Sequence, residues 1–274
     1  MKPISNMAFY CCGVRANDAE CANPVCGDGY AKWFMDDCAQ RICDKFKDET
    51  FSGVSIIVRH RTIDDVLRKM LRLTPDLGVV IIGSGFDSRP YRLIGGAWFE
   101  LDEPDVITYK NERLPISECS NPLRRIPIDF LADPLEDSLT RIDHMGPIVF
   151  LLEGIFIYLA ESEIKSLLDL LRRLFPQHQL ICDLVNRQMV ETYGARLHEI
   201  VMGMGALFKP VDEPETVFLS AGYQVQQKIS LLEASVELGM YEIPAFISKC
   251  FYDAEIQGNA VYVMKRNGPM AYSM

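Results

Sequence analysis

The apolar run Val79, Val80, Ile81, Ile82 ends in the turn Gly83-Ser84-Gly85-Phe86-Asp87, and Glu100-Leu101-Asp102-Glu103 follows about twenty residues later. Four consecutive apolar residues without alternation describe a strand buried on both faces, as in a parallel sheet covered by helices. Glycines directly after such a strand let the backbone approach a ligand. An acid closing the next strand is placed to accept hydrogen bonds from ribose hydroxyls. The pair of features points to a doubly wound α/β fold that holds an adenosine-containing cofactor.

The rest of the chain alternates accordingly. Further strands are expected at Trp98–Leu101, Arg124–Ile128, Ile148–Leu152, Leu180–Leu184, Tyr223–Ile229 and Ala260–Met264, making seven with Val79–Ile82. Helices fit at Pro104–Leu114 and Glu161–Leu174. The last two strands leave little room for a crossover helix, so the sheet should end antiparallel. Upstream, Met1 to Gly29 reads as an irregular or partly helical lead-in. Phe34, Cys38, Ile42 and Phe46 recur every four residues, which predicts one amphipathic helix over Tyr30–Phe46. A second helix is expected from Ser55 to Leu73, stopped by Pro75. The organisation is one domain, residues 1–274, with an N-terminal helical extension (1–75) and a helical lid insertion (186–214) over the strand ends, where open α/β sheets bind ligands.

Composition narrows the partners. A formal net charge of −10 argues against nucleic acid, whose binding is driven by Lys and Arg on phosphates. The longest apolar stretch, Ile148 to Ala160, is broken by Glu153 and too short to span a bilayer, and the first residues offer no signal-peptide core, so a cytoplasmic protein is expected. Six of nine cysteines lie in the first 43 residues, but no Cys-x-x-Cys pair occurs, and free thiols rather than a metal site are expected.

The turn lacks the third glycine of Gly-x-Gly-x-x-Gly, because Ser88 stands there. A dinucleotide pyrophosphate needs that close approach, whereas S-adenosylmethionine has no pyrophosphate. Asp87 is either a ligand contact or the cap of the following helix. Asp102 ends an apolar strand, where burial is costly without a partner such as ribose. Glu103 beside it is a second candidate, or a first-turn acid of the next helix. Asp129 follows the third strand with Phe130 available to cover an adenine, and Glu153 ends the fourth. Three acids at successive strand ends form a coherent pocket edge.

The segments Arg59-His60-Arg61-Thr62-Ile63-Asp64-Asp65, Ile82 through Leu93, Glu100-Leu101-Asp102-Glu103-Pro104 and Leu151-Leu152-Glu153-Gly154-Ile155-Phe156-Ile157-Tyr158-Leu159 together resemble the leucine carboxyl methyltransferase family, over about Arg59 to Leu184. That family includes methylases of protein C-terminal leucine and of polyketide carboxylates. The resemblance implies a class I methyltransferase fold with S-adenosylmethionine as cofactor and S-adenosylhomocysteine as product. It assigns Arg59 to the methionine carboxylate and the Gly83-Ser84-Gly85 turn to the backbone cradle. Asp102 falls to the ribose, Asp129 and Phe130 to adenine, and Glu153 to the methionine amino group, with Glu103 a further cofactor-binding candidate. The protein-leucine enzymes carry an Arg-Gly element where this chain has Ser52-Gly53, so the implied acceptor is a small-molecule carboxylic acid.

A carboxylate is ionised at neutral pH and needs no general base. His144, His178 and His198 accordingly read as surface or satisfied core residues. Tyr158, Arg187, Tyr193 and Arg196 are the candidates for orienting an anionic acceptor. Two rival readings stand beside this one: a nicotinamide-dependent oxidoreductase, and a non-catalytic cofactor-binding protein of the same fold.

Overall fold

Each of the seven expected strands forms, in a sheet of order β3-β2-β1-β4-β5-β7-β6. In this computed structural model, which describes residues 2, 5–242 and 257–266, the strands are β1 (Gly78–Ile82), β2 (Ala97–Asp102), β3 (Leu123–Pro127), β4 (Ile148–Leu152), β5 (Gln179–Val185), β6 (Tyr223–Ser230) and β7 (Asn259–Arg266). β1 to β5 are parallel, and β7 inserts antiparallel between β5 and β6. β1 and β4 are buried throughout, which explains their unbroken apolar sequences.

The helices are α1 (Asn6–Ala19), α2 (Asp37–Cys43), α3 (Thr50–Leu73), α4 (Arg89–Arg92), α5 (Pro104–Arg113), α6 (Leu135–Leu139), α7 (Glu161–Leu174), α8 (Arg187–Tyr193), α9 (Ala195–Gly203), α10 (Pro214–Ser220) and α11 (Leu231–Glu237). α7 shows how sequence sets the packing. Ile164, Leu168 and Leu171 recur on one face and are buried, while the Glu163 carboxylate accepts the Ala160 N–H at its start. α7 and α10 cover one face of the sheet, and α3 and α11 cover the other.

A third core lies outside the sheet. Phe9, Tyr10, Phe34, Phe46 and Phe86 pack together with Val190, Val201 and Phe208. One expectation is sharpened here and one is corrected. The lead-in contains a regular 14-residue helix, α1, and Tyr30–Phe46 is not one helix. It divides into short 3-10 turns at Ala31–Phe34 and Asp44–Phe46 on either side of α2. Asp36 causes the break: its backbone is extended and its carboxylate caps the N–H groups of Cys38 and Ala39. Phe34, Ile42 and Phe46 are still buried, but Cys38 faces out.

The order of strands reverses between β1 and β4, since β2 and β3 continue on one side and β5 on the other. Beyond the carboxyl ends of strands at such a switch point lies the crevice where open sheets bind ligands.

Candidate active site

The register brings the ends of four adjacent strands to one level. Ile82 pairs with Leu101, Ile81 with Leu151 and Leu152 with Cys182. The residues that follow those positions are Gly83, Asp102, Glu153 and Asp183. All four line one cavity of about 290 Å3. Ser84, Gly85, Glu103, Phe130, Arg59, Tyr158 and Tyr193 line it as well.

At the β1–β2 side, Gly83 and Gly85 take positive φ of 70° and 46°, a region that other residues enter at a cost. This turn directs the Gly85 N–H to the Asp102 carboxylate at 2.5 Å, and the Glu103 N–H reaches its other oxygen at 2.7 Å. Burial dominates all the same and pushes the Asp102 carboxyl up to about 6 against those two bonds. Ser84 Oγ is buried without a hydrogen-bond partner. Ser84 Oγ is thus short of a polar partner that a ligand can supply, while two backbone N–H groups hold the Asp102 carboxylate.

At the β4–β5 side the groups hold one another. Arg59, reaching from α3, donates Nε to Glu153 at 3.1 Å and Nη1 to Asp183 at 2.9 Å. Asp183 also accepts the Gly154 N–H at 2.6 Å. Gly154 has φ of 69°, and a Cβ there would lie 3.3 Å from Arg59 Nη2. Below them the fully buried Arg89 donates to Glu153 at 2.7 Å, to Asp64 at 2.6 Å and to Asp87 at 2.6 Å. Burial opposes charge on Glu153, but the Arg89 and Arg59 guanidiniums overcome it and hold the carboxyl well below the usual range. His60, beside the same cluster, is pushed down by burial and by Arg89. Asp87 also accepts the Arg89 backbone N–H at 2.7 Å, a turn-capping role.

Three sequence candidates lie outside the cavity. Asp129 bonds to Lys2 and caps its own turn by accepting the Leu131 and Ala132 N–H groups. Arg187 pairs with Asp212 at 2.7 Å on the surface, and Arg196 with Asp48 at 2.9 Å and Glu49 at 3.1 Å. Neither arginine lines the cavity. The three histidines also stand apart from the cavity: His178 is buried against the Tyr223 hydroxyl, His144 lies against the Pro147 carbonyl and His198 stacks on Phe208.

Asp183, Arg89 and the N-terminal helix are site elements that sequence reasoning misses. Asp183 carries the same signal as Glu153, an acid closing an apolar strand. Arg89 and Asp64 sit inside the motif segments without an assigned role. α1 contributes Tyr10, Cys11 and Arg15 to the cavity wall, and Arg15 bonds Asp28 at 3.0 Å and the Phe86 carbonyl at 2.9 Å. The signal for α1 is faint: Phe9, Cys12 and Ala16 are spaced for a helix, but two of the three are small.

Among the described residues no group of three or more His, Cys, Asp or Glu side chains is arranged to hold a metal ion, and no helix is long and apolar enough to cross a membrane. In fold, the chain is similar to a methyltransferase from Thermobifida fusca (12% identity, TM-score 0.61, covering 93% of this chain and 94% of the other). It is also similar to magnesium protoporphyrin IX methyltransferase from Synechocystis, solved with bound SAH (13% identity, TM-score 0.50, covering 82% and 94%). These likenesses establish the class I methyltransferase fold. In sequence, a Streptomyces coelicolor protein is 32% identical over 126 residues, which make up 43% of this chain and 41% of that protein. A Mycobacterium avium protein is 39% identical over 97 residues, or 33% and 32%. Both carry names as S-adenosyl-L-methionine-dependent methyltransferases, and the chain matches less than half the length of each. The sequence profile described as leucine carboxyl methyltransferase matches residues 8–172, from α1 into α7, and includes Arg59, the glycine turn, Asp102 and Glu153. The chain belongs to the leucine carboxyl methyltransferase family.

Proposed function

We propose that the protein is a cytoplasmic S-adenosylmethionine-dependent O-methyltransferase acting on a small-molecule carboxylate. One observation carries the reading: the Gly83–Gly85 turn, Asp102 and Glu153, from three adjacent strand ends, line a single cavity. The residues present fit the cofactor. Ser84 Oγ lacks a partner and the buried Asp102 carboxylate gains from hydroxyl donors, as a ribose provides. Phe130 offers a ring to adenine. Glu153, kept ionised by its arginines, suits an ammonium, and Arg59 suits a carboxylate.

S-adenosylmethionine supplies a methyl group on a positively charged sulfur. The chain's own task is to align the acceptor with that methyl and exclude water. Residues 186–214 serve as the lid, contributing Met189, Val190, Tyr193 and Leu197 to the cavity lining. No histidine or lysine lines the cavity among the described residues. Asp102, Glu153 and Asp183 are engaged by backbone N–H groups or arginine, so an acceptor that arrives already ionised matches the site.

The nicotinamide alternative is disfavoured by the segment after the glycine turn. Ser88, at the third-glycine place, is buried and bonded to Asp28, and α4 has only four residues to face a pyrophosphate. Titration calorimetry of the full chain with S-adenosylmethionine, S-adenosylhomocysteine, NAD and NADP tests the reading. The first two should bind and the others should not. Glu153→Gln should weaken the former by about 10- to 100-fold, the value of a hydrogen bond to a charged group. Binding of a nicotinamide nucleotide alone would replace this proposal with the oxidoreductase.

A further inference from the structure

A second cavity of about 200 Å3 adjoins the first, and the two share Phe51, Ser55, Met189, Tyr193 and Asn259 as walls. Its remaining lining includes Val54, Leu231 and Leu232, and no charged side chain among the described residues. Its polar groups are in part already engaged: Asn259 Nδ2 donates to Ser55 Oγ at 3.2 Å, and the Ser235 hydroxyl donates to the Leu232 carbonyl at 2.7 Å. The shared wall takes Met189 and Tyr193 from the 186–214 segment and includes neither Asp102 nor Glu153. A cofactor held by those strand ends therefore leaves this wall for the acceptor.

Phe51 and Tyr193 stack at 5.2 Å between ring centroids, yet they are 36% and 38% exposed. Neither belongs to any of the three apolar cores. Phe51, on a shared cavity wall and outside the apolar cores of the described residues, is surface that a ligand can cover.

We infer that the second cavity receives the body of the methyl acceptor, and that this acceptor is a monocarboxylic acid with an uncharged, hydrocarbon-rich body. The inference rests on the methyltransferase reading and narrows its substrate class. The carboxylate stays in the first cavity near Ser55, Tyr158 and Asn259, and the body passes Phe51, Met189 and Tyr193 into the second. During transfer a carboxylate oxygen forms a bond to the methyl carbon as the carbon–sulfur bond breaks. The bonding pair leaves with sulfur, giving a neutral thioether and a methyl ester, and no proton is released. A dicarboxylate or an acidic peptide would bring a second charge into an apolar chamber that cannot solvate it.

The test uses the full chain saturated with S-adenosylhomocysteine, titrated with acetate, butyrate, hexanoate, phenylacetate and succinate. Affinity should rise by about fourfold per methylene from acetate to hexanoate, as burial of each group predicts. Succinate should bind at least about tenfold more weakly than hexanoate. Leu232→Glu should abolish the chain-length trend while leaving S-adenosylhomocysteine affinity unchanged. Val54→Phe, which fills the chamber with apolar volume, should truncate the trend even if the first variant folds poorly. A flat series with normal S-adenosylhomocysteine binding, or a trend that survives both variants, would overturn the acceptor inference alone. Failure to bind S-adenosylhomocysteine would overturn the cofactor reading and this inference with it.

Discussion

The two ends of the principal cavity are built on different physics. At the β4–β5 end Arg59, Glu153 and Asp183 hold one another through bonds of 2.9–3.1 Å, and Arg89 fixes Glu153 from beneath. The apolar part of the lining includes Phe51, Met189, Tyr193 and Leu197, with two of the rings partly open to solvent. The charged end is over-determined, because each buried group must keep its partners or lose several kcal/mol. The apolar end is specified by shape and area, which tolerate exchange of one side chain for another of similar volume.

The sharpest way to break the comparison is to remove its central cation. Arg89→Met leaves Asp64, Asp87 and Glu153 buried without their shared partner, and urea denaturation should show a loss of about 3–5 kcal/mol. A loss below about 1 kcal/mol would make the cluster equivalent to surface pairs and remove the contrast.

A smaller effect is expected from pH at the β2 end. The Asp102 carboxyl sits at about 6, raised by burial. In the ligand-free protein its own contribution to stability is present below its ordinary value of 3.8 and is lost as pH rises through 6. A ribose that donates to the carboxylate favours the ionised form and lowers that value. S-adenosylhomocysteine affinity should therefore be full above pH 6 and about tenfold lower at pH 5 than at pH 7.5, with proton release on binding near pH 6. Equal affinity at both pH values would remove Asp102 from the ribose contact.

The smallest change should come from outside the cavity. Arg196→Ala breaks an exposed pair with Asp48, and thermal denaturation should shift by no more than about 1 kcal/mol equivalent, with S-adenosylhomocysteine affinity unaltered. A marked loss of affinity would place Arg196 back among the acceptor-orienting residues.

Much of the architecture is legible in the order of residues alone. β4 and α7 begin and end where the apolar run Ile148–Leu152 and the four-residue rhythm of Glu161–Leu174 place them. The antiparallel ending appears as expected, although the interval between Ile229 and Ala260 is long enough to hold α11, and the glycine turn follows from its position after Ile82. A residue's position is legible where its own strand fixes it, as for Asp102 and Glu153, which both line the cavity. It is not legible for Arg187 and Arg196. Their charge suits an anion, but Asp212, Asp48 and Glu49, from distant segments, take them up.

Sequence by itself determined the strands, the turn that needs glycine and the strand ends that carry acids. These follow from short-range requirements: burial period, permitted φ and the cost of an acid beside an apolar run. Only the tertiary structure decided that Arg59 grips Asp183, 124 positions away, that Asp36 divides Tyr30–Phe46, and that α1 walls one of two adjoining cavities. Pairings at that separation depend on strand register and helix docking, which minimise the energy of the whole packed chain and leave no mark within a local window of sequence.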